Sequence, residues 1–159
     1  METIQAVIGV HAISATVVLL LGPAVLLRRS RDRAHRMLGR TWVVTILVVC
    51  ASSFGIRPEG FSWLNTLSVW TLVSVALGVA AIRRRRVAVH RAHMVGCYLG
   101  TVAAFAFAAV VPERLIPTML REQPVILAAT ALAVAATVAL WTWAVTRQST
   151  SVRAPVATS

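Results

Sequence analysis

Five long apolar runs, each close to or above the length needed to cross a bilayer, dominate this chain and restrict what it can become. They cover about residues 4–27, 38–56, 61–82, 92–111 and 125–145 of 159. A helix rises about 1.5 Å per residue, so about 20 apolar residues cross a hydrocarbon core of about 30 Å. Backbone N–H and C=O groups have no water to bind in that core. Only helices and closed barrels satisfy them there, and the runs lack the alternation of barrel strands. The expected fold class is therefore all-α, a polytopic transmembrane helical bundle with a four-helix core plus one further span. Composition agrees: 58% of residues are hydrophobic, 13% are charged and the mean hydropathy is +0.78. Little chain remains for a soluble catalytic domain. The expectation is one transmembrane domain over residues 1–146 and a disordered cytoplasmic tail over residues 147–159. The first run is too long for a signal-peptide core and is read as a retained span.

The connectors carry the charge. The formal net charge is +11, and all 16 basic residues are Arg. Such an excess can mark nucleic-acid binding, but here the Arg residues sit in short runs between apolar stretches, which points to a membrane surface and away from nucleic acid. Residues 28–40 hold six Arg and one acid, Asp32. Arg83, Arg84, Arg85 and Arg86 follow the third run, with Arg91 soon after. Thirteen of the 16 fall in these two loops and the C-terminal tail; Arg57, Arg114 and Arg121 fall on the other side. The positive-inside rule then places the N-terminus outside and the C-terminus in the cytoplasm of a bacterial plasma membrane. Trp42, Trp141 and Trp143 are expected at the inner interface and Trp63 at the outer one. Cys50 and Cys97 lie inside apolar runs and read as small buried hydrophobes.

A 55-residue offset relates Leu27-Arg28-Arg29 with His35-Arg36 to Ile82-Arg83-Arg84 with His90-Arg91. Duplication of a helical hairpin and convergence on basic inner loops explain it equally well.

Histidines are the main candidates for chemistry. His11 lies about 10 Å into the first span, where an ionisable group is a functional candidate by default. Ser14 and Ala15 share its face, and Ser52, Ser53, Asn65 and Ser68 should lie at similar depth. A small polar pocket and a neutral His held by one interhelical hydrogen bond are the two readings, the second favoured. His35, His90 and His93 converge on the inner interface, with His90 and His93 on one helix face. They are candidate ligands of a transition metal or a b-type haem. The dense positive charge around them opposes a bound cation and favours an anion such as a lipid phosphate. His11, His35, Arg36, Arg40, His90, Arg91 and Arg114 are the candidate ligand-binding residues.

Gly96 and Gly100, continued by Ala104, form a small-residue ridge that would let another helix approach, either within the bundle or in a homo-oligomer. Gly22-Pro23 should kink the first span. Nucleotide-binding, zinc-protease and serine-hydrolase motifs are absent, as is any acid inside a span, which argues against a cation-coupled carrier.

Together, His11-Ala12, Gly22-Pro23, His35-Arg36-x-x-Gly39-Arg40, His90-Arg91-x-x-Met94 and Pro112-x-Arg114 resemble a family of bacterial predicted membrane proteins, domain of unknown function 2306. The resemblance covers about residues 8–118 and leaves out the fifth span. Trp42, soon after Gly39-Arg40, is a mild departure from its pattern. It implies a compact multi-helix membrane protein with these His and Arg residues as its signature, and no particular activity. Three functions follow as expectations. The first is a non-enzymatic module binding anionic lipid headgroups, a small ligand or a partner membrane protein. The second is a b-type haem or quinone-linked redox protein. The third is a transport or permeation protein using the region around His11.

Overall fold

The structure is a computed structural model that describes residues 2–56, 63–112 and 114–151. Among these there are six helices and no strand: α1 (Glu2–Leu26), α2 (Arg33–Ser53), α3 (Trp63–Arg83), α4 (Val87–Val110), α5 (Leu115–Glu122) and α6 (Pro124–Ser151). Five of them, all but α5, are long and apolar enough to cross a membrane. The all-α, five-span architecture expected from hydropathy is the one observed.

Short connections make sequential helices antiparallel neighbours. α1 packs most extensively on α2, and α3 on α4. Contacts of α2 with α3 and of α1 with α4 close these two hairpins into a four-helix core. α6 lies against α1 and α2, outside that core. Val18, Leu21, Leu38, Trp42 and Ile46 are buried where α1 meets α2, and Val75, Met94 and Cys97 where α3 meets α4. Cys50 and Cys97 are both buried free thiols. With five antiparallel crossings, the loops 27–32 and 84–86 and the end of α6 share one end of the bundle.

Several boundaries differ from those expected. α2 and α4 begin at Arg33 and Val87, about a turn before the apolar runs at 38 and 92. Arg is a good helix former, so these helices project past the apolar zone. α6 continues to Ser151, past the expected tail boundary at 146. The proline-rich connector contains an extra helix, α5. Pro117 is its third residue and Pro124 the first of α6, where no intrahelical N–H bond is required. The turn at 57–60, the Trp63 side chain and residues 152–159 lie outside the described residues.

Trp42 corrects the aromatic-belt expectation. It is 2% exposed, and its indole N–H donates to the Val18 carbonyl at 3.1 Å. It is a core residue of the α1–α2 hairpin. Trp141 and Trp143 are exposed, and the Arg147 guanidinium stacks 4.1 Å from the Trp143 ring.

Candidate functional site

The two Arg-rich turns are built differently. In the first, Asp32 caps α2 by accepting the His35 N–H at 3.0 Å. The same carboxylate accepts from Arg28 Nε at 3.1 Å and Nη2 at 2.7 Å. Arg28 and the His35 N–H together hold the Asp32 carboxyl well below the usual carboxylate range. The loop's one acid is therefore already neutralised by a neighbour in sequence. In the second turn, Arg86 N–H bonds to Ala81 O at 2.9 Å and Arg85 N–H to Ile82 O at 3.0 Å. These are the two bonds of a Schellman turn, and its left-handed position is held by Arg85 at φ +58° where glycine is usual. The turn brings α4 back beside α3 within three residues.

Both turns therefore deliver Arg to the same end of the bundle. Arg36, Arg40, Arg83, Arg84 and Arg91 are all exposed there. Arg114 is not among them. It holds the N-cap position of α5 at the opposite end, without a side-chain capping bond, and its guanidinium lies 5.6 Å from the Phe107 ring.

His35, His90 and His93 lie at the Arg-rich end but are not gathered into one cluster. Among the described residues no three His, Cys, Asp or Glu side chains gather around one point. His90 Nδ1 donates to the Gly78 carbonyl at 2.9 Å, across to α3. The His93 Cβ lies 3.1 Å from where a Cβ on Gly78 would be, so His93 packs against the same helix. His35, on α2, is within electrostatic reach of His90, and its buried Nδ1 has no hydrogen-bond partner. Of the set His35, His90 and His93 expected from the sequence, two side chains thus pack against α3 and the third stands on α2.

At the other end, His11 Nδ1 lies 3.1 Å from both the Val49 carbonyl and Ser52 Oγ. A carbonyl can only accept, so Nδ1 carries the hydrogen and bridges α1 to α2. Ser53, the next residue, turns to α3 and donates to Ser68 Oγ at 2.8 Å. His11 with Ser52 and Ser53 with Ser68 thus pair across helices at this depth. The interhelical hydrogen bond expected of His11 is present.

The small residues divide sharply. At Gly22 a Cβ would overlap the Tyr98 ring, so α1 and α4 meet through this glycine. Pro23 has no N–H for the Leu19 carbonyl, and Tyr98 Oη donates to that carbonyl at 3.4 Å. Gly22-Pro23 is thus a socket for Tyr98. Among the described residues nothing lies within 4 Å of where a Cβ on Gly96 would be, and only Leu67, at 4.0 Å, comes that close to one on Gly100. The bundle makes no use of the Gly96 end of the ridge that continues through Gly100 and Ala104. Gly78, which the sequence did not single out, is as tight as Gly22: its Cβ would overlap Met94.

An apolar groove of about 620 Å³, not expected from hydropathy, lies between α2 and α3. Val43, Leu47, Leu72, Val75, Ala76, Val79 and Ala80 line it, and Arg83 and Arg84 stand at its mouth.

Fold and site together define a small polytopic membrane protein with one strongly basic end. The family model described as predicted membrane protein, DUF2306, matches residues 8–145, and the chain belongs to that family. The match takes in the fifth span, which the resemblance over residues 8–118 had left out. No curated protein and no solved structure matches the chain.

Proposed function

We propose that this protein is a non-enzymatic membrane module that binds anionic lipid phosphates at its Arg-rich end, with that end in the cytoplasm of a bacterial plasma membrane. One observation carries the reading. Two independent turns bring Arg36, Arg40, Arg83, Arg84 and Arg91 to one end, where the single acid of the two loops is already held by Arg28. Each juxtamembrane Arg is worth about 1 kcal/mol of attraction to an anionic leaflet. The bonds of His11 and His90 to backbone carbonyls support structural roles for both rings. Arg-rich loops also set topology during insertion, a role that makes no demand on lipid identity afterwards. Titration of the purified protein with phosphatidylglycerol and with phosphatidylcholine, read by native mass spectrometry, separates the two. Phosphatidylglycerol should be retained preferentially, and Arg36→Gln with Arg91→Gln should weaken that retention about 30-fold. Equal retention of both lipids, unchanged in the double variant, would leave only the topological role.

A further inference from the structure

The groove between α2 and α3 has a length, lining and mouth that together specify an occupant. From Leu72 to Arg83 the α3 wall rises about 16 Å. That is about half of a hydrocarbon core of about 30 Å, the depth of one leaflet. Leu72, Ala76 and Ala80 follow one another at four-residue spacing as a single stripe down α3, and Arg84 continues that spacing just past its end. The two alanines leave a trough between flanking apolar side chains. On the facing helix Val43 and Leu47 are likewise four residues apart. Arg40, three residues before Val43, neighbours it on that helix face, outside the lining and toward the basic end. The wall is apolar throughout one leaflet and turns cationic at the headgroup level. Its volume of about 620 Å³ falls within the range of about 300–1,000 Å³ of small-molecule sites.

We propose that this groove seats one acyl chain of an anionic phospholipid from the leaflet at the Arg-rich end, with its phosphate held by Arg83, Arg84 and Arg40. The inference rests on the anionic-lipid reading above and assigns it a defined site. The lipid is selected by its charge at the mouth and fixed by its chain in the trough. Ala76 and Ala80 determine the space available, and Arg83 and Arg84 determine which headgroup is kept.

The test uses the full chain in bilayer nanodiscs with a phosphatidylglycerol that carries a diazirine midway along one chain. A phosphatidylcholine with the same chain is the comparison. Photo-adducts mapped by peptide mass spectrometry should concentrate on residues 43–47 and 72–80 and be several-fold fewer with the choline lipid. Ala76→Phe with Ala80→Phe should remove these adducts while leaving intact the retention that depends on Arg36 and Arg91. Arg83→Gln with Arg84→Gln should lower them without moving the remaining adducts. Adducts spread evenly over the lipid-facing sides of α4 and α6, or equal labelling by both lipids, would overturn the proposal. So would a protected groove in which Ala76→Cys forms a disulfide between two copies of the chain. Loss of the Arg36 and Arg91 effect with groove labelling intact would instead sink the broader collar reading alone.

Discussion

Gly22→Ala is the substitution whose effect follows most directly from the packing. A methyl group there would overlap the Tyr98 ring, the body of a side chain whose hydroxyl is tied to the Leu19 carbonyl. The ring cannot simply swing aside, so either α1 and α4 separate or Tyr98 leaves its socket. Overpacking of this kind costs about 1–3 kcal/mol, and a broken interhelical hydrogen bond adds about 0.6 kcal/mol. Replacing glycine inside a helix returns about 1 kcal/mol of propensity. The net expectation is a loss of roughly 1–2 kcal/mol. Gly96→Ala is the matched comparison, since among the described residues nothing lies within 4 Å of its new methyl group. It should be neutral or up to about 1 kcal/mol stabilising. Both can be measured by SDS unfolding in mixed micelles followed by circular dichroism. In a Tyr98→Ala background the cost of Gly22→Ala should vanish. A Gly22→Ala protein as stable as Gly96→Ala, or a cost that persists without Tyr98, would refute the socket.

Two further predictions concern the turns. Arg85→Gly should stabilise the protein by about 1 kcal/mol, because Arg85 holds a left-handed position at φ +58° that glycine adopts without steric cost; an unchanged or lower thermal midpoint would count against the assigned turn. Asp32 has a folded pKa below its unfolded value, so its stabilisation is complete above about pH 4 and is lost as pH falls through the folded value. The stability gap between wild type and Asp32→Asn should therefore stay constant from pH 7 to pH 5 and shrink only below about pH 4; a gap that closes near pH 6 would mean that another group controls the turn.

Span number and the clustering of Arg were legible in the sequence because hydropathy and charge report directly on the bilayer. Helix ends were less so: hydropathy marks where the membrane begins, whereas α2 begins where Asp32 caps it. Gly22 and Gly96 look alike as small residues within apolar runs. Only tertiary packing distinguishes the one under Tyr98 from the one facing open space. Depth along the chain puts Trp42 at the inner interface, whereas its bond to the Val18 carbonyl holds it in the core. The polar set around His11 was legible as a group, but its mutual pairing depends on Ser52 and Ser53 facing different helices. The groove was the hardest to foresee, because it arises from the looser packing of α2 on α3 compared with that within each hairpin. The four-residue stripe through Ala76, Ala80 and Arg84 was its one trace in the sequence.

The most direct test of the central claim is the composition of the lipid that stays with the protein. The protein would be extracted from its native membrane in a mild detergent, washed extensively and its bound lipids quantified by mass spectrometry against the bulk membrane. Anionic phospholipid enriched over zwitterionic lipid, with the enrichment lost in the Arg36→Gln and Arg91→Gln variant, is the predicted result. Retained lipid that mirrors the bulk membrane in both proteins would contradict the account.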